Sequence, residues 1–208
     1  MIEYLRDPTA IYKRSFEIIR GEADFSRLPK NAVAIATRVI HACGMPEIMD
    51  DLIITEDFAP TAQVSLAQGK PIFVDAEMVR HGIIARQLPA NVEIICTLND
   101  PRSKDIGLKN QITRSAAAVE LWLQHLAGAV VAIGNAPTAL FRLLELIDKG
   151  APKPACIVAM PVGFVGAAES KAELIANSRG IPFVSIKGRK GGSAMASSVI
   201  NALTSDQR

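Results

Sequence analysis

At 208 residues, with 49% hydrophobic and 21% charged side chains, the chain can bury a substantial core and is no disordered tail. A net charge of +2 argues against a dedicated nucleic-acid binder, which would concentrate basic groups, but leaves small acidic ligands open. No apolar run approaches the roughly 20 residues that span a bilayer, and the N-terminus lacks a basic stretch followed by an apolar core.

A soluble cytoplasmic protein without membrane association is therefore expected. The three cysteines agree with that. Cys43, Cys96 and Cys156 lie far apart in apolar runs and read as free thiols of a reducing compartment.

In chain order, helices are predicted over Pro8–Arg20 and Pro29–Cys43. In the second, Ala32, Ile35, Ala36, Val39, Ile40 and Cys43 recur at helical spacing as an apolar face, and Gly44 supplies the stop. Ala34, Thr37, Arg38 and His41 fall on another stripe. An imidazole beside a guanidinium and a hydroxyl suits a proton donor. The commoner reading of such a residue is a cap on the helix's negative end, worth roughly 0.3–1 kcal/mol.

Strands follow at Leu52–Thr55, Pro71–Asp75, Val92–Thr97, Ala129–Gly134, Ala155–Met160 and Pro182–Ile186, each rich in Val and Ile. Helices are predicted between and after them at Thr61–Gln68, Thr113–Leu126, Pro137–Asp148, Ser170–Asn177 and Ser193–Leu203. Runs such as Val130-Val131-Ala132-Ile133 are apolar on both sides, as in a sheet covered on both faces. The β-α-β-α rhythm gives an α/β fold: a doubly wound, mostly parallel sheet of about six strands with helices on both faces. One domain, 1–208, with a helical portion ahead of the sheet, is the expected organisation.

In such folds ligands bind outside the carboxyl ends of the strands. The loops there are Asp75–Met78, Gly134–Thr138, Pro161–Lys171 and Lys187–Ser193, and the last three run into helices whose first amides can receive an anion. Asn135 ahead of Pro137 reads as a helix cap. Asp75 reads either as the cap of a short following helix or as a ligand contact; Asp75 and Glu77, two apart, make a poor catalytic pair in a strand. Arg114 opens a helix, where its charge opposes the dipole. Carboxylate recognition explains that, and so does pairing with a surface acid.

Other chemistries lack their motifs. No Walker loop or Gly-x-Gly-x-x-Gly follows a predicted strand, and no Gly-x-Ser-x-Gly elbow is present. His41, His81 and His125 are scattered and no Cys or His pair has ligand spacing, so no metal is expected. His81 reads as a helix-end cap and His125 as a packing or contact residue on a long helix.

Seven segments in register carry a resemblance over essentially the whole chain. They are Asp7–Phe16, Val39–Gly44, Asp75–Val79, Thr113–Ala117, Gly134–Leu140, Pro161–Lys171 and Gly191–Met195. Together they resemble the precorrin-8X methylmutases of cobalamin (vitamin B12) biosynthesis, called cobalt-precorrin-8 methylmutases in the anaerobic route. The resemblance implies an isomerase that shifts a methyl group from C-11 to C-12 of precorrin-8X, giving hydrogenobyrinate. It implies no cofactor, because the methyl already resides on the substrate. It places the family's catalytic histidine on His41, whose imidazole can give and retake a proton. Substrate contacts are expected from Tyr12, Ser15, Thr37, Arg38, Arg114, Ser115, Asn135 and Ser193. A homodimer with part of each pocket from the partner is implied, and the partner molecule is the corrinoid itself. A cobalt-bearing substrate giving cobyrinate, or a catalytically idle tetrapyrrole carrier, would use the same pocket.

Overall fold

The computed structural model describes residues 2–204. Two helices, α1 (Pro8–Glu22) and α2 (Val33–Cys43), precede the sheet. There follow β1 (Leu52–Ile54), α3 (Phe58–Ala67), β2 (Ile72–Val74), α4 (Glu77–Gly82), β3 (Ile94–Cys96), α5 (Pro101–Asn110) and α6 (Arg114–Glu120). The chain continues through β4 (Val130–Ile133), α7 (Pro137–Asp148), β5 (Cys156–Ala159), α8 (Ala167–Ala176), β6 (Phe183–Ile186) and α9 (Ser193–Thr204).

One sheet holds all six strands in the order β1-β6-β5-β4-β2-β3. Every adjacent pair is parallel except β1 with β6, where Leu52 lies opposite Ile186 and Ile54 opposite Val184. The predicted strands are all present, each trimmed at one or both ends. Among the described residues no helix is long and apolar enough to cross a membrane.

The two-residue period of a strand divides the core. Ile72, Val74, Val130, Ala132, Val158 and Val184 point to the face covered by α1–α4 and α9. Phe73, Val131, Ile133, Ile157, Ala159 and Phe183 point to the face covered by α6, α7 and α8. Both β4 and β5 are buried at every position, which is why they carry no polar residue. On the first face α9 packs against α2 and α4, burying Met195, Ala196, Val199, Ile200 and Leu203.

Several elements depart from expectation: α4 and α5 lie outside the predicted helices, and α3 and α8 begin earlier than predicted. The long helix over Thr113–Leu126 is broken: α6 ends at Glu120 and a separate 3-10 turn spans Leu123–His125. Trp122 lies at the break, fully buried, stacked on Phe73 at 5.4 Å with its indole N–H donating to Thr97 Oγ1 at 2.8 Å. Seating that ring against the sheet takes the chain off the helical path and leaves His125 exposed in the turn. The segment Pro29–Cys43 begins as a 3-10 turn over Lys30–Ala32 before α2 proper. Finally, α5 has no clear apolar stripe; its signal is the Asp100-Pro101 start, where the Asp100 carboxylate accepts from Arg102 N–H.

Candidate active site

Helix α2 buries Ile35, Ala36, Val39 and Ile40 and ends at Gly44, whose φ of +70° lets its N–H reach the Ile40 carbonyl at 2.7 Å. His41, in the last turn, is on the exposed side. Helix α1 covers it. Asp7 accepts from Ala10 N–H and Pro8 opens the helix, so three α1 side chains, Tyr12, Ser15 and Phe16, share one face at i, i+3 and i+4. Ser15 Oγ lies 2.8 Å from His41 Nδ1. The Tyr12 ring stacks on the imidazole with centroids 5.6 Å apart and planes 26° from parallel. Phe16 meets it edge-on at 5.5 Å. The Arg38 guanidinium lies 5.9 Å from the centre of the Phe16 ring and makes no ion pair among the described residues.

The imidazole is thus held by one hydrogen bond and two rings. Its Nε2 makes no hydrogen bond among the described residues, and the ring lines a cavity of about 450 Å³. Tyr12, Arg38 and Ala42 form one wall, Met78 and Gly82 a second, and one face of α9 the third. On that face Ser193, Ser197 and Asn201 repeat every four residues. Asn201 is spent on structure, accepting from Ile84 N–H at 2.8 Å and donating to the Gly82 carbonyl at 2.9 Å. The hydroxyls of Ser197 and Ser198 donate within the helix, to Ala194 and Met195. Ser193 Oγ is different: it is buried and has no partner among the described residues. A buried hydroxyl left unpaired costs roughly 1–3 kcal/mol, so it points to a bound group.

The cavity is not where the topology alone suggested. Strand order reverses between β2 and β4, the usual place for a ligand crevice. Asp75, buried at the end of β2, fills it. Its carboxylate accepts from the N–H groups of Gly134, Asn135 and Ala136 at 2.8, 3.0 and 2.7 Å. Burial pushes the Asp75 carboxyl upward while those three amide bonds act in the opposite sense. Asp75 therefore ties down the turn leading into α7, not the short helix that follows it, and it takes the capping role expected of Asn135. Above this staple a Cβ on Gly134 would lie 2.8 Å from Ala196 and 2.9 Å from Ser193, so only glycine lets α9 sit this close. The cavity consequently starts at the carboxyl edge, at Ser193, and runs outward through the helical layer.

Of the expected substrate contacts, Tyr12, Arg38 and Ser193 line this cavity with His41. Ser15 reaches the histidine from behind. Thr37 does not face the cavity's contents: it is buried and its hydroxyl donates to the Val33 carbonyl at 2.8 Å. Asn135 is fixed through its backbone by Asp75. Arg114 and Ser115 start α6, in the layer that packs on α5 and α7, on the other face of the sheet from α2 and α9. Arg114 is exposed and makes no ion pair among the described residues, so a neighbouring acid does not account for it. The α9 stripe beyond Ser193 was missed, although Ser193, Ser197 and Asn201 at four-residue spacing in a mostly apolar helix were a legible signal.

No three His, Cys, Asp or Glu side chains among the described residues gather within reach of one metal ion. Burial pushes the Cys43 thiol up, the Cys96 thiol to about 11, and the Cys156 thiol higher still.

A family model described as precorrin-8X methylmutase matches residues 10–205. A precorrin-8X methylmutase of a Sinorhizobium species is 54% identical over 97% of this chain and 96% of its own. One from Pseudomonas aeruginosa is 51% identical over 100% of both. A cobalt-precorrin-8 methylmutase from Methanothermobacter thermautotrophicus is 36% identical over 93% of this chain and 90% of its own. The crystal structure of precorrin-8X methylmutase from Thermus thermophilus superposes with a TM-score of 0.85 at 32% identity, covering 94% of each chain.

Proposed function

The chain belongs to the precorrin-8X methylmutase family, and we propose that His41 is the proton donor of the methyl shift its cavity performs. The enzyme is an isomerase of cobalamin biosynthesis. Its reaction breaks the bond between C-11 and the methyl group and forms one between C-12 and the same methyl group. Nothing is oxidised or reduced. A proton lent to a ring nitrogen draws electron density from the π-system, eases migration, and returns to the imidazole when the product forms. Assistance of this kind is typically worth roughly 10²–10⁴ in rate.

The observation that carries this reading is the division of labour between the two imidazole nitrogens. Ser15 engages Nδ1 at 2.8 Å, while Nε2 is left for the cavity. Tyr12 and Phe16 hold the ring plane. Arg38 and the unpaired Ser193 hydroxyl suit the carboxylates on the macrocycle's rim. The rest of the acceleration comes from holding a large flexible ring in one geometry. The two relatives above 50% identity bear the name for the cobalt-free substrate, which supports precorrin-8X over its cobalt form.

The test is His41→Ala. Corrinoid binding is expected to survive while methyl migration falls by roughly 10²–10⁴. Full turnover in that variant would remove His41 from the chemistry, and binding without turnover in the unaltered protein would favour an idle carrier.

Arg114 and Ser115 lie outside this cavity, and their reading depends on assembly. They suit a homodimer in which one protomer's α6 start reaches its partner's cavity. Mixing His41→Ala with Arg114→Ala subunits is then expected to recover activity that neither variant has alone. No recovery in a demonstrated mixed dimer would confine Arg114 to another role.

A further inference from the structure

Lys171 is a fully buried charged side chain that the chemistry above does not use. It lies in the second turn of α8 with none of its surface exposed. Its ammonium donates to the Lys190 carbonyl. Burial draws its pKa down to about 8 against the pull of Asp51. Taking an ammonium out of water is expensive, and a buried charge replaced by an apolar side chain of similar volume often leaves stability unchanged or improved. Stability alone is therefore a poor reason for a lysine here, where a methionine would fill the same space.

What the ammonium grips is the segment between β6 and α9. That segment has no ladder of its own and turns through left-handed glycines, Gly188 at φ +76° and Gly192 at φ +126°. Its ends are tied by backbone bonds, Lys187 N–H to the Asp51 carbonyl at 2.9 Å and Gly192 N–H to the Met160 carbonyl at 2.8 Å. Gly191 sits so close to the end of β5 that a Cβ would come within 2.4 Å of the Met160 carbonyl oxygen. Between these ties, among the described residues, the Lys171 bond is the one hydrogen bond made by a side chain. The first turn of α9 continues directly from them, with Ala196 N–H donating to the Gly192 carbonyl, and presents Ser193 to the cavity.

We propose that Lys171 is a positioning residue for the substrate cavity: by gripping the Lys190 carbonyl it holds the β6–α9 loop on the end of β5 and fixes Ser193 opposite His41. This rests on the cavity being the corrinoid site. The lysine touches no substrate. It sets the wall that the substrate meets, so its loss weakens binding more than it slows the chemistry.

The experiment pairs Lys171→Met, which keeps the volume and removes the donor, with Lys171→Arg, which restores a charged donor. Amide hydrogen exchange is read across residues 187–196 without substrate, and KM and kcat are read for methyl migration. Lys171→Met is expected to speed exchange at Gly192 and Ala196 and to raise KM about tenfold, with kcat changed less than about twofold. Lys171→Arg is expected to recover part of both. Unchanged exchange in Lys171→Met overturns the grip whatever the substrate proves to be. Faster exchange with an unchanged KM overturns the link to the cavity. Absence of turnover in the unaltered protein would count against the corrinoid reading, and the exchange result would still decide whether Lys171 holds the loop.

Discussion

Trp122 and His41 sit on opposite faces of the sheet in nearly the same local arrangement. Each is a nitrogen heterocycle paired with a hydroxyl at 2.8 Å, Trp122 with Thr97 and His41 with Ser15. Each stacks on a phenyl-type ring, Phe73 at 5.4 Å and Tyr12 at 5.6 Å. The outcomes differ because of what is left over. Thr97 passes its own proton to the Ala118 carbonyl at 2.8 Å, the indole has no second nitrogen, and the residue is fully buried. The arrangement closes on itself and contributes stability. The imidazole has a second nitrogen with no hydrogen bond among the described residues, on a ring that lines a cavity. The same motif closes where every polar atom is satisfied, and where one is not it leaves a nitrogen for the proton transfer we propose.

Two far-face arginines and two groups lining the near-face cavity repeat the contrast. On the far face Arg142 is shared between Glu120 at 2.7 Å and Glu145 at 2.9 Å. Arg179 is shared between Asp148 and Glu173 at 2.7 and 2.8 Å. On the near face Arg38 has a ring for company but no acid among the described residues, and Ser193 Oγ has nothing. The largest effect expected from this contrast is that of Trp122→Ala. It should cost about 3–5 kcal/mol in denaturant unfolding and leave KM of the folded enzyme unchanged. His41→Ala should do the opposite, shifting stability by less than about 1 kcal/mol while nearly abolishing migration. If Trp122→Ala raised KM, or His41→Ala unfolded the protein, the division between the faces would fail.

A second, somewhat smaller effect belongs to Lys171, the one buried lysine among the described residues. The Lys171 pKa falls from 10.5 to about 8 on folding. Below pH 8 the amine is charged in both the folded and unfolded chains. Between about pH 8 and 10.5 the unfolded chain still binds a proton that the folded chain has released, so stability rises with pH across that window. The gain is on the order of 3 kcal/mol and is complete above 10.5. Subtracting the Lys171→Met curve from the wild-type curve removes other titrations. That difference should climb between pH 7 and 11. A flat difference would mean the ammonium is better solvated than its burial suggests.

The two faces were also unequally legible in the sequence. The strands were readable because β4 and β5 are buried on both sides and so are apolar at every position. Helix α2 and its Gly44 stop were readable because one stripe is buried and the last residue must take a left-handed turn. The break at Trp122 was not, because it is imposed by a stacking partner on β2, far away in the chain. Asp75 shows the same limit more sharply. Its neighbours in sequence suggested a cap for the next helix, whereas its three partners lie some sixty residues on, after β4. That carboxylate closes the crevice at the strand ends and moves the cavity into the helical layer. His41 was legible through its stripe and the resemblance, but its partners on α1 depended on how two helices cross.

The smallest predicted effect tests the hydrogen bond that makes His41 differ from an ordinary helix-end histidine. When the imidazole is charged, both ring nitrogens carry protons, and Nδ1–H donates to Ser15 Oγ. In the proposed cycle, once Nε2 has given its proton up, Nδ1–H can still donate to the same oxygen, so one bond would serve both halves and leave the second nitrogen free. Removing it in Ser15→Ala leaves Tyr12 and Phe16 to hold the ring plane but nothing to fix which nitrogen is protonated. A bond of this kind is worth about 1 kcal/mol, which corresponds to roughly a fivefold fall in kcat. KM should stay near the wild-type value, since the hydroxyl lies behind the ring and not among the residues lining the cavity. Ser15→Thr, which keeps the hydroxyl, should recover most of the loss. A KM change in Ser15→Ala with kcat intact would instead place the hydroxyl on the substrate, and the two nitrogens of His41 would no longer divide their work as proposed.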